Sequence, residues 1–510
     1  MFVPHHPRHR APHRTLHRAP RLGAAAWLLA AAALAGCTAA GPDFVKPPPT
    51  APDDWTSWRS ADASLRGNAL ADAALPGAWW QAFGDPLLDR LQQRAVDASP
   101  DVLTATLHVA QARAQRGTVA AQAGPELKAD AAISRQRQSA YGAGTRMLDA
   151  LGGNREALAQ FLSAPFTLYQ AGFDAAWEPD LWGRVRRSLE AADADLAREA
   201  ALLDLARLTL ASDVARNYFE LRTTQRQIRL AREEVAVMAD RLGLLAAQAR
   251  GGLIDDVPVE RQRADLAALR AQLPALLEQE GAAINRIALL LGERPGALRE
   301  ELTAPAAEAH AALPSLALGL PSEVALRRPD VRAAEARLRS ATAAIGIASA
   351  ELYPSIRLGA RVGIESYLGS RLSDWDSRTW SLGPSIDLPL FDRGRRKGVV
   401  QLRELQQQEA AVNHRQTVLR AWQEIDDALS GYAAQQQQVR ELEARAQSTR
   451  AAYDLARERQ AGGLVDFVVV LDAQRAELQV RRDLADAQGR LNLRYVTINK
   501  VLGNAPRGTS

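Results

Sequence analysis

RVRRSLEAADADLAREAALLDLARLTLASDVARNYFELRTTQRQIRLAREEVAVMADRLGLLAAQAR, residues 184–250, decides the fold. The stretch has no proline and one glycine, Gly243, and its apolar residues recur at heptad spacing: Leu189, Leu196, Leu203 and Leu210, then Val214, Leu221, Ile228, Val235 and Leu242. Sustained heptads mean coiled-coil packing. About 67 residues at roughly 1.5 Å rise give a rod on the order of 100 Å, far longer than a globular helix of about 8–20 residues. Such a rod buries its seam only against other rods.

The stretch has a second copy. Gly172, Gly183-Arg184, Gly251-Gly252-Leu253 and Leu291-Gly292 return 211 residues later as Gly383, Gly394-Arg395, Gly462-Gly463-Leu464 and Leu502-Gly503. Upstream, Pro100-Asp101-Val102, Gly117 and Pro125 return 229 residues later as Pro329-Asp330-Val331, Gly346 and Pro354. The 18 extra residues fit a longer loop in the first copy, Ala140–Pro165, rich in Gly and polar residues. An internal duplication sets the architecture before any single motif does. The second long stretch keeps Ile425, Tyr432, Val439, Ala446 and Tyr453 at heptad positions. A shorter helical stretch follows each Gly-Gly-Leu turn and another precedes Pro125 and Pro354, so that two short helices stacked end to end run beside each long one. Pro274 lies inside one of them, where a proline kinks a helix.

Four short runs alternate with period two, the mark of strands with two unlike faces. Leu127, Ala129, Ala131 and Ile133 alternate with Lys128, Asp130 and Ser134; Tyr169, Ala171, Phe173, Ala175 and Trp177 with Gln170, Gly172, Asp174 and Glu178. In the second copy Ile356, Leu358, Ala360, Val362 and Ile364 alternate with Arg357, Gly359, Arg361, Gly363 and Glu365, and Trp380, Leu382, Pro384, Ile386 and Leu388 with Ser381, Gly383, Ser385 and Asp387. Each run is about ten residues, the length a tilted strand needs to cross a bilayer. Tyr169, Trp177 and Trp380 suit an interfacial aromatic girdle. Four strands in lipid leave two open edges, so the sheet must be completed by further copies; two copies reach the eight strands of the smallest barrels and three give twelve.

The charge balance belongs to the leader. The chain carries +4, but residues 1–36 hold Arg8, Arg10, Arg14, Arg18 and Arg21 with no acid, so a chain starting at residue 37 carries 4 − 5 = −1. The basic pI therefore does not point to nucleic acid. Gly23–Gly36 is an apolar run of 14 residues, too short for a spanning helix, and reads as a signal-peptide core. Leu34-Ala35-Gly36-Cys37 resembles a lipobox, and Cys37, the only cysteine, becomes the acylated N-terminal residue; Thr38 after it is the residue type that sends a lipoprotein to the outer membrane. The alternative is a plain secretory signal with an incidental cysteine.

These residues resemble a known family over nearly all the mature chain. Gly41-Pro42-Asp43-Phe44, Trp79-Trp80 with Phe83-Gly84-Asp85-Pro86, Trp177-Glu178-Pro179-Asp180-Leu181-Trp182-Gly183-Arg184 and Gly319-Leu320-Pro321-Ser322 leading to Arg328-Pro329-Asp330-Val331 are similar to the TolC-like outer-membrane factors of RND-type efflux systems. So are Gly383-Pro384-Ser385-Ile386, Pro389-Leu390-Phe391-Asp392 and Leu471-Asp472-Ala473-Gln474-Arg475. The resemblance implies a mostly α fold with a small β portion: a homotrimer whose twelve-stranded outer-membrane barrel continues as a tunnel of twelve helices, serving as the exit duct for small toxic compounds. Its partners are then a periplasmic adaptor protein and an inner-membrane RND-type pump. It places both Gly-Gly-Leu turns at the tunnel tip, with Gly251, Gly252, Leu253, Gly462, Gly463 and Leu464 as adaptor contacts or as turn-making residues alone. It also assigns a pore gate to Asp472, with Val468 as an apolar constriction one turn earlier. Here the chain departs from the pattern, because Gln460 and Val469 stand where some relatives carry an aromatic residue and a second acid, and Arg261 occupies the repeat position of Asp472. Asp472 as an ordinary exposed helix carboxylate is the other reading.

The chain divides accordingly into a leader (1–36), an acylated linker (37–78), a first repeat (79–300, strands about 127–138 and 167–178), a linker (301–320), a second repeat (321–504, strands about 356–366 and 380–390) and a tail (505–510). No cofactor is expected beyond the acyl groups on Cys37, and no metal. Outside the leader the histidines are His108, His310 and His414, on separate predicted helices, and the acidic pairs Asp255-Asp256 and Asp426-Asp427 are adjacent and point to different helix faces. No zinc spacing, phosphate loop or nucleophile elbow is present, so an enzyme is not expected. Two other readings share many of these features: the outer-membrane channel of a protein-exporting type I system, and a non-channel periplasmic coiled-coil lipoprotein.

Overall fold

A computed structural model describes residues 39–48, 61–65, 77–142, 145–146, 155–304, 324 and 327–504. The leader, Cys37, most of the 301–320 linker, Gly319–Ser322 and the 505–510 tail lie outside the described residues. In chain order the elements are α1 (Pro86–Ala98), α2 (Pro100–Ala121), β1 (Glu126–Gln136), α3 (Arg155–Leu162), β2 (Phe166–Trp177), α4 (Arg184–Arg250), α5 (Val257–Leu290), α6 (Arg299–Thr303), α7 (Pro329–Ala350), β3 (Ser355–Ser366), β4 (Arg378–Asp387), α8 (Arg395–Ala461) and α9 (Phe467–Val501). A mostly helical fold with one four-stranded sheet is what the sequence predicts. The loop read across 140–165 contains a helix of its own, α3, which carries Ala159 inward and leaves Phe161 exposed.

The chain forms two compact units. Of the described residues, the first comprises 39–41 and those within 123–187 and 346–396. Its sheet has the order β1-β2-β3-β4, antiparallel throughout. β1 and β4 are therefore edge strands, and every residue of both is exposed. Pro384, which lacks an amide donor, sits on edge strand β4 opposite Leu358. Residues 39–41 are strapped to this unit: Ala40 N–H donates to Trp182 O at 2.9 Å, and the buried Arg187 donates to Ala40 O and Gly41 O at 3.2 and 3.3 Å. A Cβ on Gly346 would meet Ala40 O at 2.7 Å, which only glycine avoids.

The second unit is a layer of helices whose main core is shared by α4, α5, α8 and α9 with α1, α6 and the Trp79–Phe83 turn. α4 and α8 have 67 residues each, and the short helices 22, 34, 22 and 35. Arg116 of α2 pairs with Asp193 at 2.6 Å and Arg286 of α5 with Glu220 at 3.3 Å, so α2 and α5 lie beside successive parts of α4. On its other side, Asp204 meets Arg332 of α7 at 2.9 Å and Arg226 meets Gln488 of α9 at 2.8 Å. α8 closes the layer, with Glu424 on Arg328 at 2.6 Å, next to the start of α7, and Gln435 donating to Ala487 O of α9 at 3.1 Å. The end-to-end stacking read from the repeats is thus present, and α5 continues through Pro274 without a break. In α4 the fully buried stripe passes through Ala194, Ala201 and Leu208, whereas Leu189, Leu196 and Leu203 are half-buried. Small residues bring the rods close at that level, a detail that heptad counting of leucines does not find.

Each repeat closes on itself. The Leu291-Gly292 end packs on the start of α2, where a Cβ on Gly292 would meet Ala98 O at 3.0 Å; Gly503 meets Arg328 likewise at 3.2 Å. Arg328, buried, donates to Val501 O at 2.9 Å and to Asp330 at 2.8 Å. The Arg-Pro-Asp motif is therefore a C-terminal cap for α9 joined to an N-terminal start for α7. In the core, Asp85 caps α1 by accepting from Leu87 N–H and takes a further hydrogen bond from the buried Tyr218 hydroxyl. Burial first, and that bond second, push the Tyr218 hydroxyl well above the ordinary tyrosine range.

Candidate functional site: the rod-reversing turns and the two faces of the sheet

The two turns that reverse the rods are built alike. Leu253 N–H donates to Gln248 O and Gly252 N–H to Ala249 O, both at 3.0 Å; Leu464 donates to Arg459 O and Gly463 to Gln460 O, both at 2.9 Å. This pair of bonds is a Schellman cap with a left-handed residue at its fifth position. Gly252 and Gly463 take that role, at φ +71° and +70°. Gly251 and Gly462 do not have a positive φ, and a Cβ on either meets its neighbours only at ordinary distances, 3.5 Å or more. The turn itself therefore accounts for one glycine in each pair and not for the other. Leu253 and Leu464 stand 77 % and 76 % exposed.

Beyond each turn an aspartate restarts the chain as helix. Asp466 accepts from Val468 N–H and Asp255 from Val257 N–H, each at 3.2 Å. Neither is legible as a cap from the helical spacing, although Asp one or two residues before an apolar helix start is a capping signal. Val468 is 53 % exposed and Asp472 is exposed on the same helix. Both stand open to solvent on the single subunit. The neighbouring side chains are tied inward: Arg475 pairs with Asp265 of α5, and Arg241 lies over the Phe467 ring with 5.2 Å to its centroid. Burial lowers the Arg241 pKa, helped by the like charge of Arg475. Farther from the turn, the buried carboxylates Glu234 of α4 and Glu477 of α9 face Arg482 (3.2 Å) and Arg450 (3.7 Å). Burial raises the Glu234 pKa, Arg482 and Arg481 pull it back, and Glu477 adds to the rise.

The sheet has one apolar and one charged face, as the alternation predicts. Leu127, Phe173, Val362, Trp380, Leu382 and Ile386 share the first face and all are exposed. A patch of large apolar side chains open to water across four strands demands a cover. The opposite face carries Asp130, Asp174 and Arg361, whose guanidinium reaches both carboxylates at 3.0 Å, and Gln170 hydrogen-bonded to Glu365 at 2.6 Å. Alternation showed that these charges share a face but not which of them meet, because that depends on strand register. Among the described residues no helix is long and apolar enough to cross a membrane and no cluster of metal-ligating side chains occurs. A recess of about 390 Å³ in this unit is lined by the stacked Trp182 and Tyr353 rings, Arg357 and Asp387.

A sequence profile described as "Outer membrane efflux protein" matches residues 91–293 and 320–504. The pyoverdine export outer membrane protein OpmQ of Pseudomonas putida is 32 % identical over 452 residues, 88 % of this chain and 91 % of that protein. The probable outer membrane lipoprotein SilC of Salmonella typhimurium is 27 % identical over 473 residues, 92 % of this chain and 96 % of that one. The structure of the outer-membrane channel OprN superposes with a TM-score of 0.79 at 30 % identity, covering 91 % of this chain and 99 % of that chain.

Proposed function

We propose, from the premise that this chain belongs to the outer membrane efflux protein family and is the outer-membrane channel component of an efflux system, that three copies, each lipid-anchored through Cys37, form a passive exit duct for small toxic compounds. The observation that carries the reading is the pair of unpartnered edge strands. β1 and β4 expose full rows of backbone amides and carbonyls beside an apolar face, and in lipid each unpaired group costs several kcal/mol. Pairing β4 of one copy with β1 of the next removes every edge when the ring closes, and three copies give twelve strands. The helical layer supports the same operation: α2 buries only Val102, while its repeat counterpart α7, flanked on both sides, buries eight apolar residues from Val331 to Ala350. A neighbour's α8 gives α2 the partner that α7 has within its own subunit.

The exposed Leu253 and Leu464 at the turns are then the surface met by a periplasmic adaptor, and Asp472 and Val468 the ring that narrows the closed end. Three carboxylates converging on one axis repel each other and attract cations, so closure responds to divalent ions. The anchor rests on the lipobox-like Leu34–Cys37, and SilC is a relative whose name includes a lipoprotein. Deletion of the gene followed by exposure to solvents, dyes, antibiotics and metal salts tests the duct. Sensitivity that is reversed by the parent and not by a Cys37→Ser variant mislocalised to the periplasm supports both parts; unchanged tolerance to every class contradicts the efflux role.

A further inference from the structure

The charged face of the sheet holds a clamp that barrel closure does not require. Two successive register rows on that face read Lys128–Asp174–Arg361–Ser381 and Asp130–Gly172–Gly363–Thr379. Arg361 stands directly opposite Asp174, and its Nη1 donates to Asp174 Oδ2 at 3.0 Å. Its Nη2 donates at 3.0 Å to Asp130 Oδ2, which lies two strands away and one row on. The position between them is Gly172, facing Gly363, so no side chain blocks the diagonal path of the guanidinium across β2. A Cβ on Gly172 would also meet Val362 O at 2.8 Å. Lys128 takes no part, since its ammonium pairs with Glu126 at 3.1 Å.

We infer that Arg361 is a specificity-determining residue of the strand-built passage: held at a fixed place by Asp130 and Asp174, it cancels one of their two charges and limits the preference for cationic solutes. The inference rests on the barrel reading, which turns this face inward. The three side chains are 40–41 % exposed, so solvent reaches them and the pairs add little to stability. Their field acts instead on whatever passes. A guanidinium bound at both ends is a charge of fixed position, unlike a free lysine. Each clamp carries a net single negative charge, and removing the arginine doubles it. In low-dielectric walls such rings bias which ions enter.

The test is the reversal potential of single channels in neutral-lipid bilayers under a KCl gradient. Arg361→Gln is expected to raise the potassium-to-chloride permeability ratio at least about two-fold, the factor one unit charge exerts on a monovalent ion about 8 Å away in water. Asp130→Asn with Asp174→Asn takes each clamp from −1 to +1, a change of two charges, and is expected to lower it at least about four-fold, the square of that factor, and Arg361→Lys to leave it near the parent value. Should Arg361→Gln fail to assemble, the double variant alone decides. Conducting pores whose ratio is the same in parent, Arg361→Gln and the double variant overturn the role of Arg361 while leaving the duct intact. A parent that conducts neither by itself nor with the Asp472→Ala substitution overturns the barrel reading beneath it.

Discussion

The two glycines of each turn give adjacent substitutions opposite outcomes. Gly252 sits at φ +71° with nothing within 4 Å of a built Cβ, so alanine there meets no clash and pays only for the left-handed backbone, about 1–2 kcal/mol. Gly251 lies at the helix end without positive φ, and its Cβ would meet Ala247 O and Gln248 O at 3.5 Å. Alanine at 251 therefore gains about 0.5–1 kcal/mol of chain entropy. Hydrogen exchange of the Leu253 amide, which is bonded to Gln248 O, reads the difference in the detergent-purified protein. Gly252→Ala is expected to lower its protection about 5–30-fold, and Gly251→Ala not to lower it at all. The same contrast is expected at Gly463 and Gly462. Equal loosening by both substitutions would refute the cap argument. With the turn intact in Gly251→Ala, any loss of adaptor cross-linking in that variant belongs to contact and not to folding.

Asp472→Ala is expected to raise single-channel conductance in planar bilayers; an unchanged value removes Asp472 from the gate. Arg328→Ala strips the carbonyl of Val501 of its donor and leaves Asp330 and Glu424 to water, which reaches both; the lost bond to the buried carbonyl costs about 1–3 kcal/mol, seen as a lower denaturation midpoint, whereas a midpoint within error of the parent would dismiss the cap. Burial first, then Tyr495, push the Tyr432 hydroxyl up to about 12. The unfolded chain releases that proton near pH 10, so this contribution is whole below about pH 10 and is lost as pH rises toward 12. Tyr432→Phe should flatten the alkaline fall in stability, and an equally steep fall in the variant would contradict the assignment.

What the sequence made legible is what periodicity and repetition encode. The rods, the four strands and the reversing turns follow from spacing alone, and the strand limits shift by three residues at most. β4 stops at Asp387 rather than near 390 because Pro389 follows, with no amide to continue the ladder. The features that escaped depend on contacts between distant residues. Tyr218 reaching Asp85, Arg187 clasping the 39–41 strap, and Arg361 spanning three strands are fixed by packing and register, to which a single sequence gives no access. Helix α3 escaped for a different reason: eight residues are too few for a period to declare itself within a Gly-rich loop.

One subunit is incomplete by itself, and native mass spectrometry of the delipidated, detergent-held protein weighs that directly. A single species with the mass of three mature chains is predicted, stable until the micelle and the fold are both removed. A species of one chain's mass that stays dispersed without detergent would contradict it.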